Sequence, residues 1–347
     1  MGGMRYTTAR QHPIGSPFDA ASTVDDVLAG IDLTGRNVVI TGGHTGLGLE
    51  MTRGLSRAGA SVTVAARNPD RAAEALDGLK NVETYRIDLV EPESIDAFVA
   101  HYLSSGRPLH ILINNAGIMA GPLARDARGY EYHFAANHLG HFQLTTGLYP
   151  ALRAADGARV VTMTSGAHRL TDIHWDDPNF HHSDYDGHVA YGQSKAANVL
   201  FTVELDRRWS ADGIRGYVVH PGIIVTTNLG PAREAGAPPE FDEQWKQTMR
   251  DMGLFDDDGN PVVEPERGLK TPEQGASTAV FAATSPLLAD IGGVYLKDND
   301  VTPVDDTPAE AEYDGPPSTD VAPHAIDPES AKRLWELSER LIRGQAE

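Results

Sequence analysis

The stretch "NVVITGGHTGLGLEMTRGL", residues 37–55, decides the fold. An apolar, β-rich run at Asn37–Thr41 passes into Gly42, Gly43, Gly46 and Gly48, and a helix-like pattern follows. Glycine weakens strands and helices alike, so its crowding at their junction marks a tight turn or a close backbone approach. A strand feeding a glycine turn that opens a helix has the geometry of a phosphate site. Unpaired N–H groups and a partial positive charge at the helix start face the anion. The spacing is Gly42-x-x-x-Gly46-x-Gly48 rather than G-x-G-x-x-G, and no Lys-Ser/Thr follows as in a P-loop. Alone, the motif fits a structural turn as well as a cofactor cradle.

Outward from this junction, strand-like and helix-like segments alternate. Strands are expected at Asn37–Thr41, Ser61–Ala66, Val82–Ile87, Leu109–Asn114, Arg159–Thr164, Ile214–Val219 and near Gly293–Leu296. Helical patterns fall at Gly48–Ala58, Pro69–Leu79, Glu93–Leu103, Tyr130–Ala154, Ala190–Trp209 and Pro272–Ala283. Such alternation implies an α/β fold: one Rossmann-like, doubly wound parallel sheet with helices on both faces. Residues 1–35 read as a polar N-terminal arm and 36–300 as the domain. Within it, residues 228–271 form a Gly-, Pro- and charge-rich insert. Residues 301–347 read as an acidic loop and a C-terminal helix of the same domain. Asp327 is the expected N-cap of that helix, ahead of Pro328.

The 347 residues carry 29 basic and 49 acidic side chains, a net charge of -20. That argues against a nucleic-acid or anionic-membrane surface, since both need clustered Lys and Arg. With no cysteine, thiol catalysis and disulfides are excluded, which fits a reducing, cytoplasmic setting. No run approaches the ~20 apolar residues of a membrane span.

Further motifs follow the glycine turn in order. They are "NNAG" at Asn114–Gly117, "ANHLGHF" with Asn137, "VVTMTS" ending at Ser165, "YGQSK" with Tyr191 and Lys195, and "HPGIIVT" with Pro221, Gly222 and Thr226. Together with "TGGHTGLG" they resemble the classical short-chain dehydrogenase/reductase family over roughly residues 33 to 300. The long segment between Ser165 and Tyr191 resembles the retinol dehydrogenase, WW-domain oxidoreductase and protochlorophyllide reductase-like branch. "STVDDVLAGIDLTG", "KTPEQGA" and "DPESAKRLWELSE" share that likeness.

The resemblance implies an oxidoreductase that moves a hydride between a nicotinamide and a small alcohol/carbonyl substrate. Tyr191 would exchange the carbonyl proton, but a free phenol titrates near ~10. Lys195, one helical turn later on the same face, is expected to lower that value. Ser165 would bind the substrate oxygen, and Asn137 would hold a water in a relay to Lys195. The implied cofactor contacts are Gly42, His44, Thr45, Gly46, Leu47, Gly48, Asp88, Leu89, Asn115, Ala116, Gly117, Tyr191, Lys195, Pro221, Gly222, Ile224 and Thr226. NAD sites place a carboxylate at the end of the second strand. Here Ala66 and Arg67 stand there, and a guanidinium pairs with a 2′-phosphate. NADP(H) is therefore favoured, with NAD(H) left open.

His168, His174, His181 and His182 invite a metal reading, but their spacing matches no metal pattern, and surface-loop histidines are expected instead. Trp175, Phe180, Ile223, Leu229, Phe241, Trp245 and Leu254 are candidates for an apolar pocket or for packing anchors. A carbon–carbon double-bond reductase and a non-catalytic nucleotide-binding scaffold are the competing readings. By analogy with the family, a homodimer or homotetramer is expected, unless the loops and the C-terminal extension keep the chain monomeric.

Overall fold

The structure is a computed structural model that describes residues 10–119, 121–227, 229, 247–248, 250–308 and 318–344. Its elements in chain order begin with α1 (Val24–Leu28), β1 (Asn37–Thr41), α2 (Gly46–Arg57), β2 (Ser61–Ala66), α3 (Pro69–Ala75) and β3 (Val82–Arg86). Next come α4 (Pro92–Ser104), β4 (Ile111–Asn114), a π-helical turn (Phe134–Leu139), α5 (Gly140–Gly147), α6 (Tyr149–Arg153) and β5 (Ala158–Met163). The chain continues through α7 (Gly187–Trp209), β6 (Ile214–Val219), α8 (Pro272–Thr284), β7 (Val294–Lys297), β8 (Asp300–Val301) and α9 (Pro328–Ile342).

The described strands form one eight-stranded sheet in the order β3-β2-β1-β4-β5-β6-β7-β8. Every pairing is parallel except β7 with β8. Val38, Val39 and Ile40 of β1 are fully buried, as a central parallel strand covered on both faces requires. On one face Val38 and Ile40 join Met51 and Leu55 of α2 and Val280 and Phe281 of α8. On the other, Val39 joins Phe98 of α4, Phe142 of α5, Phe201 of α7 and Trp335 of α9. The chain reverses direction across the sheet between β1 and β4, and the crevice beyond their carboxyl ends is where such folds bind ligands.

Of the polar arm, residues 10–35 are described, and they are docked on the body of the domain. Gln11 is buried, donates to the Tyr295 and Thr302 carbonyls, each at 2.8 Å, and accepts from Tyr295 N–H at 3.0 Å. Thr23 and Asp26 form a capping box that starts α1, whose Val24 and Leu28 lie against Gly54. The helix expected over 130–154 is divided. Within it the Gly140 N–H donates to the Ala135 carbonyl, five residues back, and Pro150 stands in the first turn of α6. Gly140 permits a close approach, because a Cβ there would lie 2.3 Å from the Leu89 carbonyl oxygen.

Candidate active site

Four segments at the carboxyl edge of the sheet converge on one crevice. The first is the glycine turn. Gly42 has φ +66°, and its N–H donates to the Ala65 carbonyl at 2.8 Å. A Cβ at Gly48 would lie 2.3 Å from the Gly42 carbonyl oxygen and 2.8 Å from Asn115 Nδ2. That position therefore accepts no side chain without backbone movement. Thr45 begins α2 without a side-chain cap, and the first turn holds no acidic residue, so its N–H groups are left to an anion. His44 Nδ1, buried in the turn, has no hydrogen-bond partner. Burial lowers the His44 pKa, helped by Arg71 and then Arg67, so two guanidiniums lie near it. An orphaned nitrogen, an uncapped helix start and a cradle that a Cβ would fill together fit a dinucleotide phosphate.

The second segment is Asn115–Ile118 after β4. Asn115 and Ala116 N–H groups both donate to Thr41 Oγ1 at 2.9 Å, and Asn115 Nδ2 donates to the Thr41 carbonyl at 2.8 Å. The third is the loop after β6, which folds back over the turn. A Cβ on Gly46 would lie 3.3 Å from Thr227 Cγ2, and one on Gly275 would meet both Ile224 and Leu47. The Met119 N–H donates to the Leu229 carbonyl at 3.1 Å. Gly222 has φ +93°, while Thr226 is exposed. After β3 Asp88 accepts from Val90 N–H at 3.1 Å, and Leu89 is buried beside Gly140.

The fourth segment holds the residues expected to do the acid–base chemistry. Tyr191 and Lys195 face the same side of α7 and are 5 % and 4 % exposed. Lys195 Nζ lies 5.5 Å from the Tyr191 ring centroid and donates to the Met163 carbonyl at 3.3 Å. Ser165 Oγ accepts from Ala167 N–H at 3.2 Å, which holds the start of the following turn, and Ser165 is near enough to the Tyr191 phenol to pull its pKa down. Burial pushes the Tyr191 phenol up to about 12, against the pull of Ser165, and brings Lys195 down to about 8. The net direction for Tyr191 is thus the reverse of the lowering expected from Lys195. Desolvation is the larger cause, and Lys195 is not among the groups that pull the phenol down.

Asn137 lies in the π-helical turn. Its Oδ1 accepts from Ile118 N–H at 2.9 Å, and its Nδ2 donates to the Ile118 carbonyl and to Ser194 Oγ, each at 3.0 Å. The side chain is therefore committed to holding Ile118 and Ser194. Beside Tyr191, buried Glu131 binds His133 Nδ1 at 2.7 Å, and the His133 ring meets the tyrosine edge-on with centroids 6.2 Å apart.

A model described as short chain dehydrogenase matches residues 36–236. This chain belongs to the short-chain dehydrogenase family. A probable oxidoreductase of Streptomyces antibioticus is 44% identical over 320 residues, covering 90% of this chain and 99% of its own length. Retinol dehydrogenase 12 of Bos taurus is 35% identical over 318 residues, covering 90% and 88%. The crystal structure of an uncharacterised Mycobacterium paratuberculosis protein superposes with TM-score 0.66 at 30% identity, covering 94% and 98%. The likeness to the retinol dehydrogenase-like branch stands with them. As a short-chain dehydrogenase the protein is an oxidoreductase acting on small molecules. Among the described residues, no helix is long and apolar enough to cross a membrane.

The segment that lengthens this short-chain dehydrogenase between Ser165 and Tyr191 is tied down from several sides. Asp177 accepts from the N–H groups of His181, His182 and Ser183, and Arg125 donates to the carbonyls of Asn179 and Phe180. His168 is not at the surface as expected. It is fully buried, its Nδ1 donating to the Ser165 carbonyl and its Nε2 accepting from Ala322 N–H. His181 and His182 are exposed, and among the described residues no His, Cys, Asp and Glu gather as a metal site. Trp175 packs beneath Arg333, 4.3 Å away, and Phe180 against His174 and Tyr185. Ile223 is exposed, and Leu254 is half-buried in a short hairpin. Phe241 and Trp245 lie outside the described residues.

Proposed function

We propose that the protein is an NADP(H)-dependent oxidoreductase that interconverts an alcohol and a carbonyl compound. The observation that carries this reading is the buried pair of Tyr191 and Lys195 on one face of α7, with Lys195 Nζ 5.5 Å from the tyrosine ring and Ser165 near enough to act on the phenol. When bound, the nicotinamide supplies or accepts the hydride.

In the reducing direction Tyr191 gives its proton to the carbonyl oxygen, and a phenol held neutral by burial arrives with that proton in place. Ser165 donates a hydrogen bond to the same oxygen, steadying the charge that develops there. Lys195, drawn down toward working pH, passes a proton toward the phenolate that remains. The cofactor would lie along Gly42, His44, Thr45, Gly46, Leu47 and Gly48, then Asp88, Leu89, Asn115, Ala116 and Gly117. Pro221, Gly222, Ile224 and Thr226 would cover it.

Arg67 and Arg71, both close enough to His44 to lower its pKa, support a 2′-phosphate over bare ribose hydroxyls. Arg71 is the addition that sequence reading missed; its signal is the fourth residue after Arg67, in the first turn of α3. Thermal unfolding with NADPH, NADP, NADH and NAD at equal concentration tests the cofactor, and NADPH oxidation over a ketone panel tests the reaction. A ligand at a hundredfold excess over Kd adds about 2.7 kcal/mol of stability. Equal responses to NADH and NADPH, also in Arg67→Ala/Arg71→Ala, would overturn the NADP(H) preference. Nucleotide binding without turnover of any ketone would promote the scaffold reading.

A further inference from the structure

The polar group that links the cofactor turn to the acid–base helix is His141, in the same "ANHLGHF" stretch as Asn137 but given no role by it. Thr41 closes β1 and is fully buried. Its Oγ1 lies 2.9 Å from each of Asn115 N, Ala116 N and His141 Nε2. Backbone N–H groups can only donate, so they take both lone pairs of the hydroxyl. The single hydroxyl proton is left for His141 Nε2, which must accept. On the other side of the ring, Nδ1 lies 3.0 Å from the Asn137 carbonyl, which can only accept. Nδ1 therefore carries the proton. One neutral tautomer satisfies every group, and the ring is 2 % exposed, with no water needed to complete it.

Beyond His141 the bonds continue. Asn137 donates to Ser194 Oγ at 3.0 Å, and Ser194 donates to the Tyr191 carbonyl at 2.7 Å. At the opposite end, Asn115 Nδ2 holds the Thr41 carbonyl, and the same nitrogen is what a Cβ at Gly48 would strike. A continuous buried line of hydrogen bonds thus runs from the start of the glycine turn to the backbone of Tyr191.

We propose that His141 is a positioning residue that fixes the Thr41 rotamer and the Asn137 carbonyl together, so that the cofactor turn and the catalytic helix keep one mutual register. The proposal rests on the nicotinamide-nucleotide reading of the turn for its functional consequence, and on the hydrogen-bond geometry alone for the wiring.

Two readouts separate these dependencies. The first is NADPH affinity by calorimetry on His141→Phe, Thr41→Val and the double variant. The second is amide hydrogen exchange without nucleotide. His141→Phe removes the only acceptor for the Thr41 proton, freeing the hydroxyl to rotate away from the two amides. NADPH binding should weaken about tenfold, as for one buried hydrogen bond. Exchange at Asn115 and Ala116 should rise selectively over neighbouring strand amides, although both lie 25 or more residues away in sequence. Because the two side chains act through one bond, the double variant should be no worse than the poorer single one.

Additive losses, or exchange that rises uniformly through the sheet, would reduce His141 to core filling and overturn the proposal. Wild-type protein that fails to bind NADPH would remove the cofactor reading, while exchange would still decide whether the wiring exists. Should His141→Phe fail to fold, Thr41→Ser against Thr41→Val decides. The serine hydroxyl should keep wild-type exchange and valine should lose it, and equal behaviour of the two would refute the arrangement.

Discussion

Lys195→Met is expected to make the protein more stable near neutral pH while abolishing turnover. The ammonium is almost fully buried, and burial alone brings its pKa from 10.5 to about 8. Between those two values the unfolded chain holds a proton that the folded chain has released. Stability therefore rises with pH across that window, and the cost of burying Lys195 is fully present below about pH 8. At ~1.4 kcal/mol per pK unit, the cost is about 3 kcal/mol.

Methionine has similar length and no charge. It forfeits the Nζ–H donated to the Met163 carbonyl, about 1 kcal/mol, but that carbonyl keeps its bond from Asn198 Nδ2 at 3.1 Å. The net expectation is a gain of about 2 kcal/mol near pH 7, fading to nothing or reversing by pH 10.5. Urea unfolding followed by tryptophan fluorescence at several pH values measures it. The upward shift of Tyr191 destabilises both chains above pH 10 and largely cancels in the difference. A variant less stable than the parent near pH 7, or a gap that does not move with pH, would refute the argument that desolvation dominates Lys195.

Tyr191→Phe should lower kcat by about 10² to 10⁴ while keeping the nucleotide-induced rise in Tm, since the ring packing survives and only the proton donor is lost; assay and thermal scan on one preparation check this. Gly48→Ala sets a helix-propensity gain of about 1 kcal/mol against a backbone clash costing about 1–3 kcal/mol. Because the 2.3 Å contact is with a carbonyl rather than a movable side chain, a lower Tm and a blunted nucleotide response are expected, and a more stable variant with full response would contradict that. Trp335→Ala should cost ~3–5 kcal/mol by denaturant titration. The ring is 3 % exposed and wedged among Phe142, Phe201 and Trp209.

What could be read without coordinates follows from how each feature is encoded. Buried parallel strands are continuous apolar runs, and Asn37–Thr41, Ser61–Ala66 and Ile214–Val219 have the bounds expected of them. Tyr191 and Lys195 share a face because i and i+4 do so on any helix. The division of the 130–154 helix was hidden, because the close approach of Gly140 to Leu89 beside the π-helical turn is a contact between segments about fifty residues apart. The role of His141 was hidden for a related reason: Asn137 lies one turn before it, but Thr41, its other partner, is a hundred residues away and meets it only in the folded chain. His168 looked exposed because it sits among aspartates in a loop, yet both ring nitrogens serve backbone groups in the core. The pKa of Tyr191 was misjudged because spacing along a helix reveals the cation and not the depth of burial.

The docking of the first described segment bears on the order in which the chain can finish folding during synthesis. Gln11 is held by Tyr295 and Thr302, Phe18 meets Phe281, the Asp19 carbonyl accepts from Asn299 Nδ2, and the Asp300 carboxylate accepts from the N–H groups of Ile14, Gly15 and Ser16. None of those partners exists until more than 260 further residues have been translated. This segment thus leaves the ribosome long before its partners and is among the last to find its place. Until β7 and β8 emerge, this segment has nothing to dock on, and the apolar surface it later covers stays open to solvent throughout that interval.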